Sequence, residues 1–238
     1  KLALDQIVGH AGISPLPLAQ PVNLPAVEPA DLNQWVDTAE STQPAVRQAQ
    51  IALDVARLET KKAETGHLPT VDLQASYGMQ RNPNGMTSQP FVHSRATTAS
   101  VGVALNVPLF AGFAVQNRVK ETLSLEDKAQ ADLDNARRTV AQASRAAYLG
   151  VQSGMGQVKA LEAAVASSKS ALDANLLGYQ VGVRVNIDIL NAQSQLYQTQ
   201  RDLAKARYDV LMGQLKLRQA AGILGEEDIA KVDGLLAK

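Results

Sequence analysis

Between Ala114 and about residue 176 the sequence runs for some sixty residues without a proline, and its apolar pattern is helical throughout. Sixty residues of helix extend roughly 95 Å. No ordinary globular domain houses such an element, so the chain is expected to build an elongated helical assembly. One face reads Leu125, Ala129, Leu133, Ala136, Val140, Ala143, Ala147, Val151, Met155, Val158, Leu161, Val165, Ser168, Leu172 and Leu176. Its spacing of about 3.6 residues lies near the straight-helix period. Gly150, Gly154 and Gly156 weaken the run, each by up to about 1 kcal/mol relative to alanine. A local bend or a close helix crossing is expected there.

The residues from Gly178 to Val185 break this helix, and a second helix is expected from Asn186 to about Ala221, stopped by Gly222. Its heptads are strong: Ile189, Leu196, Leu203, Val210 and Leu217, with Ala192, Thr199, Ala206, Gly213 and Ala220 as companions. A short turn between long helices makes them antiparallel neighbours. Upstream, a helix is expected over residues 31–66, with Asp31 as N-cap and Gly66 and Pro69 as stop signals. There Ala39, Val46, Leu53 and Thr60 recur every seventh residue, as do Thr42, Ala49, Ala56 and Ala63.

After Pro69 the period switches from helix to strand. Val71, Leu73, Ala75, Tyr77 and Met79 alternate with Thr70, Asp72, Gln74, Ser76, Gly78 and Gln80. A second alternating segment covers residues 97–109, with Ala99, Val101, Val103, Leu105, Val107 and Leu109 as its apolar set. Between them, residues 82–96 read as a polar loop containing Pro83, Asn84, Gly85 and Pro90. Strands of about ten residues match the span of a tilted transmembrane barrel strand. Two strands alone make no stable sheet in water, so partners must come from other copies or from a missing half of the chain. A hairpin packed on a soluble core is the competing reading.

Residues 1–30 carry Pro15, Pro17, Pro21, Pro25 and Pro29. This density excludes an ordinary helix or central strand. An extended strap is expected after a short helical turn near residues 2–8, with a disordered linker as the alternative. Residues 223–238 read as a polar tail, with a short helix near residues 226–236.

Lys plus Arg and Asp plus Glu both total 23, so the formal net charge is zero and the electrostatic footprint of a nucleic-acid binder is missing. Cysteine is absent, which excludes a disulfide frame, a thiolate nucleophile and a cysteine metal site. His10, His67 and His93 lie far apart; His67 is expected to pack or face water and His93 to be solvated. There is no nucleophile elbow, phosphate loop, dinucleotide fingerprint or metal-ligand cluster. Asp132 and Asp134 read as solvent-facing helix charges. No enzyme, catalytic residue, metal or cofactor is expected. No run of 18 apolar residues exists, which excludes a membrane-spanning helix but not a barrel strand.

Three local sequences carry a resemblance. HLPTVDL at 67–73 enters the first strand, VPLFAG at 107–112 leaves the second, and GYQVGVRVNIDIL at 178–190 continues through Leu196, Tyr197, Ala206 and Tyr208 to Gly222. Together with the element order, they resemble the TolC family of outer-membrane channel proteins. The last segment is the specific one. The resemblance implies a mainly α fold with a β-hairpin, in which long antiparallel coiled-coil helices form an α-barrel and two strands join a transmembrane β-barrel. It divides the chain into a Pro-rich equatorial strap (1–30), tunnel helices (31–68 and 113–222), an outer-membrane hairpin (69–112) and a C-terminal equatorial tail (223–238).

In that family a protomer holds two tandem copies of such a unit, and three protomers build the channel. This sequence resembles the second copy, so it is expected to be a fragment of a longer protein rather than a half-length one. The implied function is a passive export conduit of a tripartite efflux pump or type I secretion system. It lies in the outer membrane of a Gram-negative bacterium, with a periplasmic extension. The implied partners are two further protomers of a homotrimer, a periplasmic adaptor, an inner-membrane transporter and outer-membrane lipid, with no nucleic acid.

The resemblance also implies residue roles. Tyr179 and Arg184 match gating contacts that hold the periplasmic tip closed. Asp188 matches a carboxylate ringing the pore constriction, and Asn191 stands where a second aspartate is expected, which leaves three carboxylates in a trimer rather than six. Val181, Gly182 and Val183 match the turn where the adaptor docks. Tyr77, Phe110 and Phe113 are the membrane-interface aromatics. The bland readings stand beside these: solvated tip charges at Arg184 and Asp188, Tyr179 as a packed helix cap, and Phe110 with Phe113 as a hydrophobic plug. From another class, the chain as a whole is readable as a soluble helical-hairpin spacer or interaction protein.

Overall fold

The computed structural model describes residues 6, 9, 16–82, 85–86, 89–90 and 94–237. The helical turn expected near residues 2–8, together with Pro15, His10, Pro83, Asn84 and His93, lies outside them, apart from the isolated residue 6. In chain order the elements are α1 (Leu32–Thr42), α2 (Pro44–Glu64), a 3-10 turn (Thr65–His67), β1 (Thr70–Asn82), β2 (Gly85–Met86), β3 (Gln89–Pro90), β4 (Ser94–Asn106), α3 (Ala114–Gln180), α4 (Asn186–Ala220) and α5 (Glu226–Asp233). The fold class is as expected: mainly helical, with one long antiparallel strand pair. Two compact units divide the chain, Lys1–Gln50 with Asp132–Lys238, and Ile51–Ala131.

In the first unit, α3 runs into α4 through a five-residue turn. The pair is antiparallel, because Gly154 faces Val210 and Val151 faces Gly213. Arg207 Nη2 reaches Glu162 Oε1 at 2.8 Å farther along the same seam. Both heptad sets of α4 turn inward, burying Leu196, Leu203, Val210 and Leu217 from one, and Thr199 and Ala206 from the other. Val140, Val151 and Val158 of α3 are buried as well. Burying such a side chain contributes about 1.5–3 kcal/mol, which is what holds so long a hairpin together.

The helix expected over residues 31–66 is two helices. Asp31 is indeed the N-cap of α1, its Oδ1 accepting from the Asn33 amide at 2.9 Å. The break falls at Gln43, extended at ψ 123°, because Pro44 follows it. A residue before proline is driven out of the α region, and proline is at home as the first residue of the next helix. The helix then ends at Glu64 in a 3-10 turn, just before Gly66. The heptad phase survives the break, and Ala39, Val46, Leu53 and Thr60 are all buried.

That break is docked on the end of α4. Thr42 Oγ1 donates to the Ala221 carbonyl at 2.6 Å, and Gln43 Nε2 donates to the Gln219 and Ala220 carbonyls. They satisfy acceptors that every helix C-terminus leaves open. Gly222 turns the chain away at φ 71°, with the Gln43 backbone so close that a Cβ would meet its Cα at 2.9 Å.

The strap and the tail hold each other. Ala19 N donates to Leu235 O at 2.9 Å and Ala237 N to Pro17 O at 2.8 Å, around a Leu18–Leu236 bridge. Gln214 Nε2 donates to Pro25 O and Trp35 Nε1 to Pro29 O, both at 2.7 Å, and the Tyr148 hydroxyl donates to Ala30 O. The tail is less polar in function than in composition. Asp228 is buried, caps the Gly225 amide at 3.2 Å and pairs with Arg218 at 3.1 Å, which fixes α5 on α4.

In the second unit, the end of α2 lies beside the start of α3. Gly66 admits Val115, Arg57 pairs with Glu126 at 3.5 Å, and Thr122 is buried between its own helix carbonyls. The sheet is β1 against β4, in unbroken register from Thr70–Asn106 to Asn82–Ser94. The second strand is shifted from its expected place, residues 97–109. The ladder ends at Asn106 because its partner begins at Thr70, and Pro108 lacks an amide to extend it. The expected loop 82–96 shortens accordingly, since the strands claim residues 82 and 94–96, and Gly85–Met86 pairs with Gln89–Pro90 inside it.

Candidate functional site

Two surfaces concentrate the residues singled out by sequence. The first is the α3–α4 turn. Gly182 adopts φ 77°, which glycine alone takes without penalty. The Gly178 carbonyl accepts from Val183 N at 2.9 Å and Arg184 N at 3.1 Å, folding the turn back on the last turn of α3. Gly178 leaves room for the Arg184 side chain, since a Cβ there would meet Arg184 Cγ at 2.7 Å and force it to shift. Sequence reading missed this role; the only available signal was a second glycine one turn before Gly182.

Arg184 and Asp188 are brought together, Nη1 to Oδ2 at 3.7 Å, with the arginine more than half exposed. Asp188 also reaches back to the Val185 amide at 3.5 Å, capping α4 with a negative charge at its positive end. Asn191 is exposed one turn farther on. Tyr179 is half exposed, and its hydroxyl has no hydrogen-bond partner among the described residues. Val181 and Val183 project outward with Leu177, Val185, Ile187 and Leu190, a concentration of exposed apolar side chains around two charges. Of these, the sequence motif points to Val181 and Val183 alone as docking residues.

The second surface is the face of the sheet. The register sets apolar against apolar: Val71 with Leu105, Leu73 with Val103, Ala75 with Val101, Tyr77 with Ala99. Small and polar residues meet on the other face, where the Ser76 and Ser100 hydroxyls lie 2.8 Å apart. Nothing among the described residues covers the apolar face, and Val101 is 78% exposed. Each long strand is paired on one side only. Thirteen residues extend about 43 Å, enough to cross a bilayer core when tilted. Phe110 and Phe113 meet edge to face below the sheet, centroids 6.0 Å apart, while Tyr77 stands separately within the ladder.

Among the described residues no group of His, Asp or Glu has the geometry of a metal site, and no helix is long and apolar enough to cross a membrane.

Comparison with known proteins agrees with this geometry. The family model for outer membrane efflux proteins matches residues 35–223. The chain is 32% identical over 222 residues to outer membrane protein TolC of Escherichia coli strain K12, an alignment covering 91% of this chain and 45% of that protein. It is 32% identical over 216 residues to the alkaline protease secretion protein AprF of Pseudomonas aeruginosa, covering 91% and 44%. The open state of the Neisseria gonorrhoeae MtrE outer membrane channel superposes with a TM-score of 0.69 at 19% identity, covering 93% of this chain and 49% of that one. The chain thus spans less than half the length of the two sequence relatives, and the match to MtrE shows a shared fold.

Proposed function

The chain belongs to the outer membrane efflux protein family, and from that premise we propose that it supplies one repeat of a passive outer-membrane export channel. The observation that carries this reading is the in-register apolar sheet face, open to its surroundings on a strand pair with both edges unsatisfied. Such a pair needs further strands at its edges and lipid on its face. A soluble spacer has no use for either.

On this reading β1 and β4 are two staves of a barrel in the outer membrane, with Phe110 and Phe113 at one of its interfaces, while Tyr77, which the resemblance puts at an interface, faces Ala99 near the middle of the ladder. The α2, α3 and α4 helices line a periplasmic tunnel, girdled by the strap and tail. A protomer holds two such repeats and three protomers close the tube. The channel does no chemistry. An inner-membrane transporter of an efflux pump or type I secretion system provides the energy, and a periplasmic adaptor docks at Val181, Gly182 and Val183.

The tip is the gate. The Arg184–Asp188 pair lies at its surface, where the exposed Arg184 can exchange Asp188 for a neighbouring helix of the assembly and the half-exposed Tyr179 can bond with one as well. Adaptor binding replaces those bonds and lets the helices realign. Three Asp188 carboxylates around a narrow opening focus negative potential and favour cations, while Asn191 adds no charge.

The test is the mass and location of the native protein. Extracted in detergent from its source membrane, it is expected as a trimer in the outer-membrane fraction, with each protomer near twice the mass of this chain. Recovery from the soluble fraction as a monomer would overturn the channel reading.

A further inference from the structure

The apolar face of the sheet ends in charge. It starts where Val71 lies opposite Leu105, on the helical side, and ends at the far side where Arg81 lies opposite Arg95. Arg95 Nη2 reaches Met79 Sδ at 3.4 Å, which fixes its side chain on the same face as the apolar residues. Both arginines are exposed. Residues directly opposite in an antiparallel pair have Cβ atoms about 5 Å apart, and like charges placed there destabilise the sheet.

Nothing on the hairpin relieves that repulsion. The sequence holds no Asp or Glu between Asp72 and Glu121. Asp72 lies at the helical end of the ladder, opposite Ala104 and on the other face. The Met79 sulfur is only a weak acceptor. A second copy of this hairpin set against the same end would bring two more arginines and no acid. The pair therefore calls for an anion from outside the hairpin.

Position narrows the choice of anion. Arg81 lies ten positions beyond Val71 on one unbroken strand, about 33 Å along it. At the usual barrel tilt this rises about 25 Å, the height of the apolar band of a transmembrane barrel. A barrel with Val71 at one edge of the hydrocarbon has Arg81 and Arg95 at the other, where a charge costs little. The anions at that depth are the phosphates of lipid headgroups. Guanidinium forks match phosphate oxygens two at a time, and forks from two adjacent strands can close on one phosphate.

We propose that Arg81 and Arg95 form a clamp for a phosphorylated lipid in the leaflet away from the helices, the outer leaflet of the outer membrane. The lipid phosphate neutralises the pair and ties the hairpin to that leaflet. This rests on the reading of the sheet as membrane-spanning.

The test uses the full-length protein, isolated from the outer-membrane fraction and reconstituted in phosphatidylcholine vesicles doped with bisphosphorylated lipid A. The lipid A that stays with the trimer through a wash in phosphatidylcholine–detergent micelles is quantified by mass spectrometry. The parent protein is expected to retain several-fold more than the double variant Arg81→Gln/Arg95→Gln. Dephosphorylated lipid A should be retained by the parent no better than by the variant. Should the double variant fail to assemble, the two lipids compared on the parent protein give the same readout without a substitution. Equal retention by parent and variant, as when an acid on a neighbouring strand already pairs the arginines, would overturn the clamp and leave the channel reading standing. Equal retention of the two lipids would overturn it as well, since acyl chains alone would then hold them. Complete displacement of lipid A by millimolar inorganic phosphate would assign the arginines to a free anion instead. Absence of the parent trimer from the outer-membrane fraction would overturn the spanning sheet and the clamp together.

Discussion

Val210 seats its Cγ2 against the bare backbone of Gly154, where an added methyl would lie 3.0 Å away; Gly213 receives Val151 in the same way at 3.1 Å. The two contacts are reciprocal across the α3–α4 hairpin. They explain why a helix of 67 residues tolerates a glycine at its middle. Gly150 and Gly156 face open space instead. Of the three glycines in this stretch, the close crossing therefore uses one, and the helix continues through it unbroken.

Gly154→Leu is accordingly expected to destabilise the protein by about 1–3 kcal/mol through overpacking. Gly156→Ala is expected to stabilise it by up to about 1 kcal/mol through helix propensity alone. Thermal unfolding of the two variants beside the parent decides the matter. Equal shifts in the same direction would mean that the crossing does not depend on Gly154.

Gly222→Ala meets two obstacles, a backbone at φ 71° and the Gln43 Cα at 2.9 Å. Backbone cannot swing aside as a side-chain tip can, so the variant is expected to lose more than about 2 kcal/mol. Thr42→Val removes the bond to the Ala221 carbonyl and is expected to cost about 1 kcal/mol. Denaturant midpoints at constant slope measure both.

Asp228→Ala leaves the Gly225 amide uncapped and removes the carboxylate that holds Arg218 and Lys231. The expected loss is about 1–3 kcal/mol, concentrated in the tail. Limited proteolysis is the check. Cleavage after Lys231 should speed up while the α3–α4 hairpin stays intact, and uniform acceleration would show that the tail is not a local clasp.

What was legible in the sequence followed from periodicity. Alternation of period two placed Val71, Leu73, Val101 and Val103 on one face, and the register confirms the pairing. Sevenfold recurrence found Leu203, Val210, Leu53 and Val46. The misses share a cause. The heptads run in phase through Pro44, so the pattern concealed the break that the proline imposes. Alternation runs past Pro108 to Leu109, although a strand ends where its partner ends. Gly178 depends on where the Arg184 side chain packs, and the docking of Gly222 on Gln43 on which backbones approach each other, and no local pattern records either. The tail reads as polar, and nothing in that pattern marks Asp228 as the acid that caps Gly225 and pairs with Arg218. At the tip, the motif located Arg184 and Asp188, but their 3.7 Å approach is made with Arg184 in the turn ahead of α4, so helix-face spacing does not account for it.

Arg184→Ala separates gating from stability. The pair with Asp188 is exposed and contributes at most about 0.5 kcal/mol, so the unfolding midpoint should hardly move. If Arg184 bonds hold the tip closed, single-channel conductance of the reconstituted full-length protein should rise. Asp188→Asn should weaken block by multivalent cations applied from the helical side. Unchanged closed-state conductance in Arg184→Ala would remove that residue from the gate.

The sheet makes the sharpest demand on its surroundings. Val101 lies opposite Ala75 near the middle of the ladder, on the exposed apolar face, whereas Gln74 lies opposite Gly102 on the other. If lipid covers the apolar face, Val101→Arg puts a charge near the bilayer midplane, where it costs about 2–4 kcal/mol. A barrel lumen is wet, so Gln74→Lys, one residue along the same ladder, should assemble normally. The yield of heat-resistant trimer in the outer-membrane fraction measures the difference. Loss of assembly in Val101→Arg alone assigns the two faces to lipid and water. Equal tolerance of both charges would mean that neither face meets hydrocarbon, and the strands would then have to find their partners outside a membrane.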